Sequence, residues 1–208
     1  MKNDREYRAF NLIQRDSEGT EPTYEVEGYA STFERYKLFE YENEDGDIIE
    51  FNEQIDPKAF DEADMSDCVF RVDHEGPVYA RVSAGTVKLD IDENGLHNIT
   101  NLSKTAAARA LHESIVAGNY PQMSFAFTVA EQHYDRKTHT RFIDRVAKVF
   151  DISPVTWPAN PTTSLSARSK DFFDGEIEKL KAERLEEERR RKAIERLEKF
   201  TKGASDND

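Results

Sequence analysis

Apolar and polar side chains alternate over several short stretches of the chain, and this pattern predicts a body made mostly of β-strands. Residues 86–91 alternate cleanly, which is typical of a half-buried strand, and Glu93, Asn94 and Gly95 supply turn residues after it. Apolar runs elsewhere predict further strands. The predicted strands cover residues 24–33, 68–72, 86–91, 96–102, 124–129 and 141–152.

Two helices are predicted within this strand-rich body. The first covers residues 56–63, because Asp56 is an acidic N-cap and Pro57 occupies the first helical position. The second begins at a hydroxyl cap within residues 103–105, runs through three consecutive alanines, and ends before Gly118. The predicted fold class is therefore α+β.

The strand pattern ends near residues 167–175, and the composition beyond it is highly charged. Residues 176–202 contain 18 charged side chains among 27, and opposite charges spaced four residues apart predict one helix stabilised by its own surface ion pairs. We expect a mobile link over residues 164–175 and disorder over residues 203–208. The predicted domains are a body at residues 1–169 and a charged helical tail at residues 170–208.

Charge and composition exclude several classes of protein. The net charge is −13, and residues 1–169 carry −12 of it, so the body repels phosphate backbones and we expect no nucleic-acid partner. There is no run of about 18 apolar residues, and the first residues lack the apolar core of a signal peptide. We therefore expect neither a membrane span nor export by that route. A single cysteine, Cys68, excludes an internal disulfide and a multi-cysteine zinc site.

Three residues are candidates for chemistry because of their positions in the pattern. His74 follows a short apolar strand, and Gly76 and Pro77 are expected to turn the chain away, leaving the imidazole at a rim of the sheet. Ser124 interrupts an otherwise apolar strand. Asp151 lies in another apolar run, where a carboxylate is costly to bury unless it is paired or hydrogen-bonded.

Each candidate also has an ordinary structural interpretation, which the local sequence leaves open. A strand hydroxyl can be satisfied by backbone groups, and a buried acid can bond to nearby amides. The functional interpretation makes the serine a nucleophile, the histidine its base and the acid the group that orients the histidine. Strand alternation predicts that Val149, Asp151 and Ser153 share one face.

The other four histidines are expected to have surface or structural roles. His97 follows a turn, and His112 lies on a predicted helix. A metal site formed by His133, Asp135 and His139 is conceivable, but these residues lie in a polar hairpin. We prefer the interpretation that they are ordinary hairpin residues.

The order and spacing of these segments resemble the prohead maturation protease family of tailed bacteriophages. The match spans roughly residues 7–168. It rests on His74 after a strand, Met-Ser-Phe-Ala-Phe at 123–127 and Phe-Asp-Ile-Ser-Pro-Val-Thr-Trp-Pro-Ala-Asn at 150–160. Shorter matching segments lie at residues 26–33, 56–60 and 80–82. The family is similar in fold to the herpesvirus assemblin proteases, which implies a mainly antiparallel β-barrel edged by helices.

The resemblance implies a role for each candidate residue. Ser124 corresponds to the nucleophile and His74 to its general base, while Asp151 stands where the family usually has glutamate. Ala126 replaces a glycine that is frequent in the family two residues after the serine. Backbone amides are the expected oxyanion donors, with Arg81 as a candidate to support that loop. No metal or organic cofactor is implied.

The resemblance also implies partners and a location. The substrates would be the scaffolding segment of the major capsid protein and the protease itself, inside the immature capsid in the bacterial cytoplasm; a homo-oligomer is left open. The charged tail is either a packaging element or a solvated helix without a partner. One alternative is a non-enzymatic capsid-assembly protein on the same fold. Another is an esterase, against which the missing Gly-x-Ser-x-Gly motif argues.

Overall fold

The computed structural model describes residues 5–13, 23–156 and 167–205, with side chains described at 5–8, 23–156 and 172–197. The chain divides into two compact units, Met1–Ser166 and Ala167–Asp208. This division, after Ser166, lies slightly before the predicted boundary between residues 169 and 170.

The described part of the first unit contains ten strands and one helix, and the second unit is described as one helix. In chain order the elements are β1 (Glu6–Ile13), β2 (Glu25–Thr32), β3 (Tyr36–Glu42), β4 (Ile48–Ile55), β5 (Val69–Val72), β6 (Glu75–Arg81), β7 (Val87–Ile91), β8 (Gly95–Asn101), α1 (Ala106–Val116), β9 (Gln122–Asp135), β10 (Thr140–Val155) and α2 (Ala167–Ser205).

The ten strands form one sheet in the order β3-β4-β10-β9-β1-β2-β8-β7, with the β5–β6 hairpin attached to β10. Pairing is antiparallel except where β10 runs parallel to β4 and to β5. The predicted α+β class is confirmed. Among the described residues no pairing joins the outer strands β3 and β7, so closure into the expected barrel is not confirmed.

All six predicted strands are present, with ends that differ by up to six residues, and four further strands accompany them. The additional strands are β1, β3, β4 and β6. The predicted helix α1 is also confirmed: the Thr105 side chain accepts a hydrogen bond from the Ala108 amide, and Ala108, Leu111 and Ile115 are buried.

The predicted helix at residues 56–63 is wrong, because this segment forms a series of turns along β10. Asp56 caps the first turn, since its side chain accepts from the Lys58 amide at 2.8 Å. The Ala59 carbonyl then accepts from the Val146 amide of β10 at 2.8 Å. Ala59 and Phe60 are buried, so pairing with β10 and core packing override the local helix preference.

Helix α2 has 39 residues, and most of its described side chains are exposed. It begins at Ala167, so the expectation of a mobile link is wrong for residues 167–175. Residues 164–166 lie outside the described residues. The helix continues through Ser205, which contradicts disorder at residues 203–205, and residues 206–208 also lie outside. Neither described helix combines the length and apolar character that crossing a membrane requires.

A buried ionic cluster joins β1, β4 and β10 on the core face of the sheet. It consists of Glu6, Arg8, Glu53 and Arg141, each at most 5% exposed. Glu53 accepts from Arg8 Nη2 at 2.8 Å and from Arg141 Nη1 at 2.9 Å. Glu6 Oε2 accepts from Arg8 at 2.9 Å and from Arg141 at 2.7 Å. Two cations and two anions balance, so no net charge is buried.

The pKa values of Arg8 and of the neighbouring Tyr36 show how burial and the charge of Glu53 act on these groups. Burial alone lowers the pKa of Arg8, but the charge and hydrogen bond of Glu53 outweigh it, so the net shift is upward. Burial raises the pKa of the Tyr36 hydroxyl, which donates to Glu53, and the charge of Glu53 raises it further. The guanidinium groups therefore stay charged, and the Tyr36 phenol stays protonated.

We predict that Glu53→Gln lowers the free energy of unfolding by about 3–5 kcal/mol, because it leaves two buried guanidinium groups short of one counter-charge. Urea denaturation followed by far-UV circular dichroism measures the change. The matched control is Glu50→Gln on the same strand, whose side chain is 57% exposed and lies 3.9 Å from Lys37. The control should change stability by less than about 0.5 kcal/mol, and equal effects of the two variants would contradict the prediction.

Candidate active site

Ser124 lies near the start of β9, between two neighbouring strands. In the strand register, Ser124 pairs with Ala9 of β1 on one side and with Ser153 of β10 on the other. Phe125 and Phe127 point to the hydrophobic core. Since successive side chains alternate across a strand, Ser124 projects to the opposite face of the sheet.

Asp151 reaches the Ser124 face because β10 contains an irregularity. Val149 is opposite Phe127, whereas Asp151 is opposite Ala126, so Phe150 is an extra residue in β10. Val149 belongs to the core, and strict alternation from it would also aim Asp151 at the core. The bulge aims Asp151 at the other face. The prediction that Asp151 and Ser153 share a face is confirmed, but the prediction that Val149 shares it is wrong.

His74 lies in the tight turn between β5 and β6. Val72 pairs with Glu75, so Asp73 and His74 are the two turn residues. The predicted turn at Gly76 and Pro77 is wrong, because both belong to β6. The turn places His74 over β9 and β10, since β5 itself pairs with β10 beside Asp151.

The structure brings His74, Ser124 and Asp151 into one hydrogen-bonded series. His74 Nε2 lies 2.7 Å from Ser124 Oγ, and His74 Nδ1 lies 2.6 Å from Asp151 Oδ1. An ionised carboxylate can only accept, so Nδ1 carries the proton and Nε2 accepts from the Ser124 hydroxyl. Asp151 makes this contact even though its side chain is one methylene shorter than the glutamate usual in the resembled family.

Burial and two further residues hold this series in place. The side chains of His74 and Asp151 are 14% and 3% exposed, and Ser124 is fully buried. The Ser153 hydroxyl donates to Asp151 Oδ1 at 2.8 Å. The Tyr7 ring of β1 packs on the His74 imidazole with 4.5 Å between ring centroids. No local pattern in the sequence identifies Tyr7, whereas strand alternation had already placed Ser153 beside Asp151.

Arg81 and the other histidines have different partners. The Arg81 guanidinium lies 3.3 Å from exposed Asp67, and its described bonds do not reach the three residues, so its supporting role stays a prediction. His97 bonds to Glu27 at 2.9 Å. His133 bonds to Asp144 at 2.8 Å. Within the described residues no group of three or more histidine, cysteine or acidic side chains could hold a metal ion.

A hydroxyl, an imidazole and a carboxylate joined in series are the arrangement found in serine hydrolases. The carboxylate fixes the imidazole, and the imidazole can withdraw the hydroxyl proton during attack on a carbonyl carbon. The sheet places each group on a separate strand or turn, so their spacing depends on strand pairing. The geometry thus suits nucleophilic attack by the serine hydroxyl.

The comparison with protein families agrees with this geometry. The family model described as caudovirus prohead serine protease matches residues 10–176. The chain therefore belongs to this family, and the resemblance seen in the sequence is confirmed. Membership supports a protease with a role in capsid maturation inside the procapsid. No curated protein and no solved structure gives a significant match.

Cys68 lies directly before β5 and is fully buried. Burial, assisted by the negative charge of Asp151, raises the pKa of its thiol to about 12. A group with so high a pKa stays protonated, and therefore poorly nucleophilic, across the physiological range.

We predict that native Cys68 reacts with a disulfide reagent at pH 8 at least about 10³-fold more slowly than in the urea-unfolded chain. At that pH a thiol with an ordinary pKa near 8.5 is roughly one quarter thiolate, whereas one near 12 is about one part in 10⁴. Stopped-flow absorbance measures both rates. Comparable rates in the native and unfolded chains would show that the thiol is accessible and its pKa near normal.

Proposed function

We propose that the protein is a serine endopeptidase that cleaves the scaffolding segment of the major capsid protein, and itself, during maturation of a phage prohead. The observation that carries the proposal is the hydrogen-bonded series Ser124–His74–Asp151 in a chain that belongs to the prohead protease family. In this proposal the first unit is the protease domain and α2 is a charged tail.

The proposed reaction begins with attack by Ser124. Its Oγ forms a bond to the scissile carbonyl carbon while its proton passes to His74 Nε2. Asp151 stabilises the imidazolium through Nδ1–H and keeps the ring in one orientation. The C–N bond then breaks, and the leaving amine takes the proton from Nε2, which leaves an acyl-enzyme on Ser124.

A water molecule completes the cycle by the same path in reverse. It gives a proton to Nε2 as its oxygen attacks the acyl carbon, and the Ser124 oxygen recovers that proton when the product acid leaves. Each tetrahedral intermediate carries negative charge on oxygen, for which backbone amides near Ser124 are the proposed donors. Arg81 is retained as a candidate for supporting that loop.

The non-enzymatic alternative, an internal scaffold protein on the same fold, has weaker support. A scaffold needs no hydroxyl hydrogen-bonded to an oriented imidazole, and a buried carboxylate beside it would only add a cost of desolvation. For α2, the two interpretations of a packaging element and a solvated helix stay open in the proposal. Its many exposed charges suit either one.

Co-expression with the capsid protein of the same phage tests the proposed function. Wild-type protein should remove the scaffolding segment, as seen by intact-mass spectrometry, whereas Ser124→Ala should lower the cleavage rate by at least about 10³-fold because the nucleophile is gone. Loss of one hydroxyl should cost about 1 kcal/mol of stability or less. The matched control is Ser31→Ala, another fully buried serine in a strand of the same sheet.

Three results of this experiment have distinct meanings. Cleavage by the wild type and the Ser31→Ala control, but not by Ser124→Ala, supports the proposal. Normal processing by Ser124→Ala would eliminate Ser124 as the nucleophile. Absence of both processing and labelling by a serine-directed fluorophosphonate in the wild type would favour the scaffold alternative.

We predict that Asp151→Asn lowers the cleavage rate by about 10⁴-fold. An amide can donate to Nδ1, which favours the tautomer with hydrogen on Nε2, and that nitrogen then cannot accept the Ser124 proton. Asp151→Glu should also be impaired, because the aspartate already lies 2.6 Å from Nδ1 and an added methylene must displace the ring. Single-turnover peptide cleavage measures both. Full activity of Asp151→Asn would remove Asp151 from the mechanism.

A further inference from the structure

The turn that carries His74 has a backbone conformation that ordinary residues rarely adopt. Asp73 has φ 47° and His74 has φ 60°. Both values lie in the left-handed region, as the two central residues of a type I′ hairpin turn require, and glycine or asparagine is favoured there. Neither residue is glycine; aspartate and histidine enter this region more readily than most residues, and surrounding contacts stabilise them there.

Asp73 supplies such contacts through its carboxylate. Asp73 Oδ1 accepts from the Thr156 amide at 2.8 Å, and Oδ2 accepts from the Thr156 hydroxyl at 2.8 Å. The Asp73 amide donates to the Pro154 carbonyl at 3.2 Å. Pro154 and Thr156 flank the end of β10, so these bonds attach the turn to the strand that also carries Asp151.

The β5–β6 hairpin, which carries His74, needs an attachment to β10 at its turn. Its described register with β10 pairs Val69 with Asp151 and Phe70 with Ile152, at the beginning of β5. His74 lies four residues beyond Phe70, where a free hairpin end can swing. A small displacement there lengthens the hydrogen bonds of His74 to both Ser124 and Asp151, and small errors in position are costly to catalysis.

We propose that Asp73 is a positioning residue, whose carboxylate fastens the His74 turn to Thr156 and so keeps the imidazole between Ser124 and Asp151. The inference rests on the proposed function, since it concerns the same reaction. Asp73 acts through the turn and has no described contact with Ser124 or Asp151.

Three variants separate the effect of the hydrogen bonds between Asp73 and Thr156 from the effect of the backbone conformation at Asp73. Asp73→Gly tolerates positive φ but removes both bonds to Thr156. Asp73→Asn also tolerates this conformation, and its amide group can accept from the Thr156 amide and donate to the Thr156 hydroxyl. Thr156→Val removes the hydroxyl partner and leaves Asp73 in place.

We expect Asp73→Gly to lower kcat for a peptide substrate about 10- to 100-fold with KM changed less than about twofold, because attack and not binding depends on His74. The rate of fluorophosphonate labelling at Ser124 should fall in parallel. Asp73→Asn should stay within about threefold of the wild type, and Thr156→Val should lie between them. Thermal unfolding of each variant reports whether it is folded.

Wild-type kinetics for Asp73→Gly would overturn the inference, as would an effect confined to KM or an Asp73→Asn variant as impaired as Asp73→Gly. If Asp73→Gly fails to fold, Thr156→Val decides the matter: a lowered kcat supports the inference, and an unchanged kcat overturns it. These results are distinguishable from failure of the proposed function, in which the wild type itself neither cleaves nor reacts with the fluorophosphonate.

Discussion

The antiparallel pairing of β9 with β10 is the constraint on which the rest of the structure depends. It extends from Gln122 opposite Val155 to Asp135 opposite Thr140, and β10 also pairs with β4 and β5. The register sets Ser153 opposite Ser124, and the extra residue Phe150 turns Asp151 to the same face. One strand pair therefore fixes two of the three site residues, and the hairpin attached to it carries the third.

One face of the sheet packs in the core, and the other carries the candidate site. Phe125 and Phe127 face the hydrophobic core, which is continuous with the buried cluster of charges around Glu53. The opposite face bears the hydroxyl, imidazole and carboxylate. Strand β1 contributes to both faces, because Arg8 enters the ionic cluster while its neighbour Tyr7 packs on His74. Alternation along a single strand thus links the core to the site.

Local patterns in the sequence predict much of the strand content, α1 and, through a family resemblance, the three site residues. They do not predict β1, because Glu6 and Arg8 resemble exposed charges until Glu53 and Arg141, distant in sequence, are seen to neutralise them. They do not predict the bulge at Phe150, which arises from pairing with β9. Turn propensity favours Gly76 and Pro77, whereas the pairing of β5 with β10 and the bond from the Asp73 amide to Pro154 place the turn at Asp73 and His74.

The position of β1 has a consequence for the timing of assembly during synthesis. Glu6 and Arg141, which bond in the ionic cluster, are 135 residues apart in sequence, and β1 lies between β2 and β9, so its pairing with β9 must await the second half of the chain. Contacts of such long separation form late, after most of the chain has left the ribosome. The Tyr7 ring that packs on His74 belongs to the same strand as Glu6 and Arg8 of the ionic cluster. A chain synthesised only as far as residue 140 lacks both Arg141 and Asp151, so neither the buried charge balance nor the candidate site can be complete before β10 is made.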